Sequence, residues 1–296
     1  AYTLFKTPSK IARVRSNSYI AYPELFCTSA LPIDVIISPE QLVTDYIKHL
    51  ISFPTALQVL DFAEGKVQMI AIKPHYGGPL LKKTIADLYA YLPTIDFCIA
   101  ALYRRNQFIT LTETIRIEVS DEIFFVGSSK NIRELLRILG RLDNPYKRIM
   151  IAGGGNIGSR LSQTLENKYQ VKLIEQDPKK THQLAQQLHK AMVLQGDASD
   201  RELLIQENIE YCDVFCAVTN DDEANIMSCL QAKRLGARQV MALINRKPYA
   251  DLVEAGLIDI SISPEEVTIG SILTHLRQGD MVNVHSLRHG ATEAIE

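Results

Sequence analysis

Arg148-Ile-Met-Ile-Ala-Gly-Gly-Gly-Asn-Ile-Gly158 is a short apolar run that ends in glycines spaced G-x-G-x-x-G. The apolar half reads as a parallel strand covered on both faces. The glycines supply what a phosphate-binding turn needs. Gly153 permits a tight turn, Gly155 lets backbone N–H groups approach a pyrophosphate, and Gly158 lets the next helix pack close to its strand. That helix is expected from Ile157 to about Asn167, its N-terminus offering unpaired donors and a partial positive charge to an anion.

A glycine string alone is a weak signal, because many loops carry one. Its context strengthens it. A second strand, Val171–Ile174, ends in Glu175, 17 residues after Gly158. An acidic side chain at that strand tip can accept both hydrogens of a ribose diol. The plain alternative is a βαβ unit whose glycines serve close packing only.

The chain has 296 residues, enough for two ordinary domains with their own cores. Hydrophobic content of 46% and charged content of 22% are those of a globular protein. A formal net charge of −2 gives no general basic field to attract nucleic acid. Cys27, Cys98, Cys212, Cys216 and Cys229 lack C-x-x-C spacing and are read as reduced core thiols. No apolar stretch approaches the eighteen or so residues of a membrane helix.

Taken in order, Ala1–Thr7 reads as the end of a helix stopped by Pro8. Lys10–Arg15 and Asp34–Ile37 read as strands. Ser38-Pro39-Glu40 then opens a helix, N-cap followed by proline. Leu57–Phe62 and Val67–Lys73 form a hairpin across Ala63–Lys66. A helix over Thr84–Tyr91, strands at Asp96–Tyr103 and Glu122–Val126, a weaker strand near Ile115–Val119 and a helix over Asn131–Leu142 complete an α+β module. Beyond Glu175, helices alternate with strands at Ala191–Leu194, Val214–Val218, Val240–Ile244 and Ile258–Ile262, the order of a doubly wound parallel α/β sheet.

An internal repeat decides the wider architecture. Ile37-Ser-Pro-Glu40 recurs 225 residues later as Ile262-Ser-Pro-Glu265, each copy preceded by aliphatics and followed by an amphipathic helix. Lys10-Ile-Ala-Arg-Val-Arg15 aligns with Gln239-Val-Met-Ala-Leu-Ile244, which sets Arg13 against Ala242. Tyr19 matches Tyr249 at an offset of 230, so the first copy carries about five extra residues. The expected division is residues 1–37 as the end of a first Rossmann-like domain, 38–52 as a crossover helix and 53–143 as a first α+β module. Residues 146–262 would form a second Rossmann-like domain, 263–280 a second crossover helix, and 281–296 the start of a second module. The repeat implies roughly eighty residues before Ala1 and about seventy after Glu296. The chain is therefore expected to be the middle of a longer tandem protein, with open strand edges that self-associate when those parts are missing.

Other chemistry-bearing motifs favour bland readings. Tyr2 and Lys6 have the spacing of a reductase proton-transfer pair, but no matching serine stands upstream. Cys212 and Cys216 lack a second ligand pair for a metal. His182 and His189 fit a solvated helix face, and Asp221, Asp222 and Glu223 fit a helix N-terminus. Arg13 and Arg15 interrupt an apolar strand, either as a half-exposed face or as phosphate or ribose contacts. Asp197 stands where a third-strand carboxylate can meet adenosine, and Thr219 and Asn220 follow the fourth strand, where such folds bind ligands. No general base or nucleophile is placed for nicotinamide chemistry.

The sequence resembles the RCK, or KTN, domain family of bacterial Trk potassium-uptake regulators along essentially its whole length. The resemblance rests on Gly153-Gly-Gly-Asn-Ile-Gly158, Leu173-Ile-Glu175, Gly196-Asp-Ala198, Val218-Thr-Asn-Asp-Asp-Glu-Ala-Asn225, Leu60-Asp-Phe-Ala-Glu-Gly65, and Ile37-Ser-Pro-Glu40 with its copy. It implies Rossmann-like domains in tandem with small α+β modules. It also implies a dinucleotide held by Gly153, Gly154, Gly155, Asn156, Ile157, Gly158, Glu175, Asp197, Thr219 and Asn220, with Arg13 completing a separate site in the first half. The ligand would be NAD or NADH, with ATP or ADP as competing ligands, and no catalysis. The implied partners are a membrane-spanning potassium translocating subunit and further copies of the chain, on the cytoplasmic face of the inner membrane. An NAD-dependent oxidoreductase and a bare oligomerisation scaffold are the alternatives. Turnover separates the first, and nucleotide binding the second.

Overall fold

The first strands are short and parallel, β1 (Ile11–Arg13) and β2 (Val35–Ile37), with Arg13 opposite Ile37. The structure, a computed structural model, describes residues 5–15, 19, 22–27, 30–105, 107–142, 144–253, 258–276, 284–287 and 292–296. Tyr2 of the Tyr-x-x-x-Lys string lies outside the described residues. Helix α1 (Pro39–Ser52) begins as its sequence dictates, with the Ser38 side chain accepting from the Gln41 N–H and proline in the first turn. Val43, Ile47 and Leu50 form its buried stripe.

The first module follows. Strands β3 (Ala56–Phe62) and β4 (Val67–Ile72) form the expected hairpin, turned through left-handed Ala63, Glu64 and Gly65. Thr84 and Asp87 make a reciprocal capping box at the start of α2 (Ile85–Tyr91). Strands β5 (Phe97–Arg104), β6 (Gln107–Phe108) and β7 (Asp121–Ser128) complete an antiparallel sheet in the order β3-β4-β7-β5-β6. The weaker strand expected near residues 115–119 does not join it. Ile117 bonds instead to Lys82 and Lys83 before α2, and Ile115 O accepts from the Ile85 N–H at its start, burying Ile117 there. Helix α3 (Ser129–Ile138) starts two residues earlier than expected because Ser128 caps it. It stops before Leu142 because Gly140 takes a φ of +67° and turns the chain away.

The second Rossmann unit contains β8 (Arg148–Ala152), α4 (Asn156–Leu165), β9 (Gln170–Glu175), α5 (Pro178–Gln187), β10 (Met192–Gln195) and α6 (Arg201–Gln206). It continues with β11 (Val214–Ala217), α7 (Asp222–Arg234), β12 (Gln239–Leu243), α8 (Lys247–Val253) and β13 (Ile260–Ile262), and helix α9 (Pro264–Leu276) follows it. Its strands are all parallel in the order β10-β9-β8-β11-β12-β13. That is the 3-2-1-4-5-6 order of dinucleotide-binding folds, whose crevice opens where the order reverses between β8 and β11.

The strand registers refine the repeat. Arg13 pairs with Ile37, and Leu243 pairs with Ile262. The Val14 N–H donates to Ile37 O and the Ile244 N–H to Ile262 O, both at 2.9 Å. Arg13 therefore corresponds to Leu243 and not to Ala242. A one-residue slip matters in a strand because it moves every side chain to the other face. The repeat continues in β14 (Val284–Leu287) and β15 (Thr292–Ile295), where Leu287 pairs with Thr292 as Phe62 pairs with Val67. This hairpin lies on the outer face of the first module's sheet, with Leu287 packed against Leu60, Met69 and Phe124.

One buried apolar cluster runs from Val43 and Ile47 of α1 through the first module to Leu161 and Ile262 of the second unit. Helix α1 packs on both α4 and α9, and the Arg160 Nη1 group donates to Gln41 Oε1 at 2.8 Å. The link between the units is pinned by Tyr146, whose hydroxyl accepts from the Thr55 N–H at 2.8 Å and donates to Gln239 Oε1. Burial pushes the Tyr146 phenol up from its ordinary range. Tyr146→Phe should leave the buried Gln239 amide and the Thr55 N–H short of a partner, lowering stability by about 1–3 kcal/mol in urea titration. A change below a few tenths would show that water replaces the hydroxyl.

The cysteines divide. Cys212, Cys216 and Cys229 are buried, but Cys98 is exposed and Cys27 half-buried, so not all are the core thiols expected. Burial pushes the thiols of Cys212 and Cys216 up to about 12 and that of Cys229 well above its ordinary value. At pH about 8 an alkylating reagent should modify Cys98 while these three stay protonated and react only after unfolding. Peptide mass mapping reads this directly, and early modification of Cys216 would contradict it.

Candidate nucleotide-binding site

The turn after β8 is shaped by three glycines with different duties. Gly153 has a φ of +101° and donates its N–H to Ile174 O at 2.9 Å. A β-carbon on Gly158 would lie 1.8 Å from Gly153 O, so no side chain fits where α4 meets its strand. Gly155 faces open space, with nothing within 4 Å of an added β-carbon. Ser38, Ser128, Asp177 and Asp221 cap their helices with side-chain oxygens, whereas α4 starts at Gly155 without one. Its first-turn N–H groups lack intrahelical acceptors and stand at the crevice.

Gly154 serves a contact the sequence did not announce. Its N–H donates to Glu175 Oε2 at 2.7 Å, and a β-carbon there would meet Leu184 of α5 at 2.4 Å. The other Glu175 oxygen accepts from the Asp177 N–H at 2.9 Å. The carboxylate expected at the ribose thus also braces the loop, and each of its oxygens retains a lone pair for a ligand hydroxyl.

On the far side of the crevice, Asn225 forms a clasp. It is fully buried, and its Oδ1 accepts from Thr219 N–H at 2.9 Å and from Thr219 Oγ1 at 2.7 Å. Its Nδ2 donates to Thr219 O at 3.1 Å and to Leu243 O at 2.8 Å. The side chain of Thr219 is therefore occupied within the protein, its methyl group lying against Gly153. Next to it, Asp222 is buried and accepts from the Asn245 and Arg246 N–H groups at 2.9 Å each. Burial pushes its carboxyl up, but those hydrogen bonds outweigh burial and hold it below the ordinary range.

These elements enclose a cleft of about 520 Å³. Gly154, Gly155, Asn156, Ile157 and Asn220 line it, together with Lys180 of α5 and Asn245 beyond β12. Gly153, Gly158 and Thr219 stand behind this lining, and Glu175 reaches it through Gly154. Asp197 is turned to its own loop, accepting from the Ser199 N–H and hydroxyl. Arg13, expected at a separate site of the first half, lines this cleft together with Arg15, Pro39 and Glu40. The packing of α1 on α4 and α9 brings the two copies of the strand-end and Ser-Pro-Glu units together here, Pro264 of the second copy included. A larger cavity of about 690 Å³ lies away from the glycine loop, between α1, the first module's sheet and α9. Among the described residues no cluster suits a metal ion, and no helix is long and apolar enough to cross a membrane.

Sequence reading missed the Asn225 clasp and the contributions of Lys180, Asn245 and Glu40. An asparagine on the helix that leaves an apolar strand was the available signal for the first. The others depend on which segments the fold folds back onto the glycine loop.

The TrkA-N domain family matches residues 149–264, and the TrkA-C domain family matches residues 69–140. The Trk system potassium uptake protein TrkA of Halomonas elongata is 52% identical over 296 residues, the whole of this chain. The protein of the same name from Vibrio alginolyticus is 51% identical over 297 residues. The chain carries a TrkA-C domain followed by a TrkA-N domain. It spans 65% of the length of each of these two relatives. Among solved structures, the GsuK RCK domain superposes with a TM-score of 0.62 at 21% identity, covering 92% of this chain and 56% of that one. The GsuK channel bound to NAD superposes with a TM-score of 0.61 at 21% identity, covering 93% and 47%. At that identity the likeness establishes the fold.

Within this TrkA-N domain the glycines should separate by substitution. Gly158→Ala places a β-carbon against backbone and should destabilise the chain by several kcal/mol, about the cost of core overpacking or more. Gly155→Val enters open space and should leave the melting temperature within about 2 °C, as surface changes do. Equal melting temperatures for the two variants would refute the close-approach role of Gly158.

Proposed function

We propose that the chain is the nucleotide-binding regulatory part of a potassium-uptake system, holding NAD or NADH in the cleft at the glycine loop and acting without catalysis of its own. The observation that carries this reading is the open face of Gly155 beside the uncapped N-terminus of α4, in a cleft also lined by Arg13, Arg15 and Lys180. Those N–H groups suit a pyrophosphate, Glu175 suits the adenosine ribose, and the three cations offset the ligand's charge. ATP and ADP share the same phosphate chemistry and would compete. The names of the Halomonas and Vibrio relatives support a potassium-uptake role.

On this reading the partner is a membrane-spanning translocating subunit, with several copies of the chain assembled on its cytoplasmic side. Nucleotide binding regulates only through different affinities for two arrangements of the assembly. A hundredfold difference corresponds to about 2.7 kcal/mol of bias.

Titration calorimetry should show NADH binding to the wild type, at least about tenfold weaker binding of NADPH, and no NADH binding to Gly155→Val. The NADPH deficit follows from Glu175, since a like-charge pair at about 4 Å costs on the order of 4 kcal/mol at an effective dielectric of about 20. Equal affinity for the two cofactors would remove the role given to Glu175, and retained binding by Gly155→Val would move the site elsewhere. NADH absorbance, followed with a panel of carbonyl compounds, should stay constant. Substrate-dependent oxidation above background would favour an oxidoreductase.

A further inference from the structure

Glu40 stands in the first turn of α1, in the first half of the repeat, yet lines the cleft built around the second half's glycine loop. It is the acidic side chain among the described residues that line this cleft. The Gln41–Arg160 hydrogen bond holds its helical turn against α4, two residues beyond Gly158. The Glu40 side chain is 13% exposed, and its Oε1 lies 3.9 Å from Arg15 Nε, beyond hydrogen-bond reach. Its Oε2 is buried and has no hydrogen-bond partner among the described residues.

We propose that Glu40 sets nucleotide specificity in this cleft, its carboxylate accepting a hydrogen bond from a hydroxyl or amide of a dinucleotide and repelling the terminal phosphate of a nucleoside triphosphate. The inference rests on the nucleotide-binding reading above and adds the basis of selection. Arg13, Arg15 and Lys180 favour any phosphate and do not distinguish one nucleotide from another. The nearest cation to Glu40, Arg15, is too far to hydrogen-bond, so the carboxylate charge at the cleft wall is only weakly offset; a ligand donor lowers that cost and a further anion raises it. Dinucleotides carry two riboses and a carboxamide as donors beyond the pyrophosphate. The terminal phosphate of a triphosphate offers only acceptors and further negative charge.

The competing explanation is that Glu40 merely complements the positive end of α1. The repeat supplies the control. Glu265 follows Ser263 and Pro264 in the first turn of α9, as Glu40 follows Ser38 and Pro39, but does not line the cleft. A helix-end role would be shared by both residues, whereas a ligand role belongs to Glu40.

The test is NADH and ATP titration of the full chain as wild type, Glu40→Gln and Glu265→Gln, with melting temperatures recorded. Glu40→Gln should weaken NADH by about tenfold and tighten ATP by about tenfold, as expected for an exchanged charged acceptor. Glu265→Gln should leave the ratio of the two affinities unchanged. Glu40→Asp, which keeps the charge and shortens the reach, should lose NADH affinity without gaining ATP affinity, and it serves if the glutamine variant does not fold. An unchanged ratio in Glu40→Gln, or equal shifts in Glu40→Gln and Glu265→Gln, would overturn the role of Glu40 while leaving the nucleotide site standing. A wild type that binds neither ligand would overturn both readings.

Discussion

The carbonyl oxygen of Gly153 occupies the place a β-carbon on Gly158 would need. Strand β8 and helix α4 can therefore join through so short a turn only when both positions are glycine, the first also because its φ of +101° excludes ordinary side chains. Once that turn is made, the axis of α4 is fixed against the sheet and its uncapped end opens toward Gly155. The pairing of β8 with β11 then sets Thr219 directly against the turn. Asn225 and Glu175 lock the two flanks, each through hydrogen bonds to backbone N–H groups. The cleft is thus a consequence of backbone proximity, with few side chains needed to shape it.

A second constraint is the repeat. Two copies of a strand end followed by Ser-Pro-Glu and a long helix meet because α1 packs on α4 and α9. Equivalent positions are not equivalent in chemistry. Arg13 and Arg15 correspond to Leu243 and Asn245, and all four line the cleft. One copy brings charge to a cleft whose glycine loop belongs to the other, so the tandem arrangement contributes directly to its lining. The same registration carries into the hairpin β14–β15, which lies on the first module's sheet and joins the halves at a second place.

Buried polar groups tie these pieces together. Tyr146 bonds the first module to β12, Asn225 bonds α7 to the ends of β11 and β12, and Asp222 holds the backbone beyond β12. Each satisfies donors or acceptors that would otherwise be stranded in an apolar surrounding, so each is costly to remove singly. Their shared effect is that the loops around the cleft are held by the core and not by their own composition.

Local pattern was enough to determine a good deal. The alternation of apolar strands and helices after Arg148 and the glycine spacing dictated a doubly wound sheet with a close-packed glycine turn. The reason is that 3.6- and 2-residue periodicities and glycine φ requirements are properties of short segments. Ser38 before Pro39 and the acidic run Asp221–Glu223 marked helix starts for the same reason. Tertiary structure decided what depends on distant segments meeting. It set the true register of the repeat, the loss of the weak strand near Ile117 to the backbone before α2, and the enclosure of Asn225. It also decided that Arg13, Arg15 and Glu40 face a glycine loop more than a hundred residues away. A side chain's neighbours across such a separation are fixed by how helices pack, and no local periodicity encodes that.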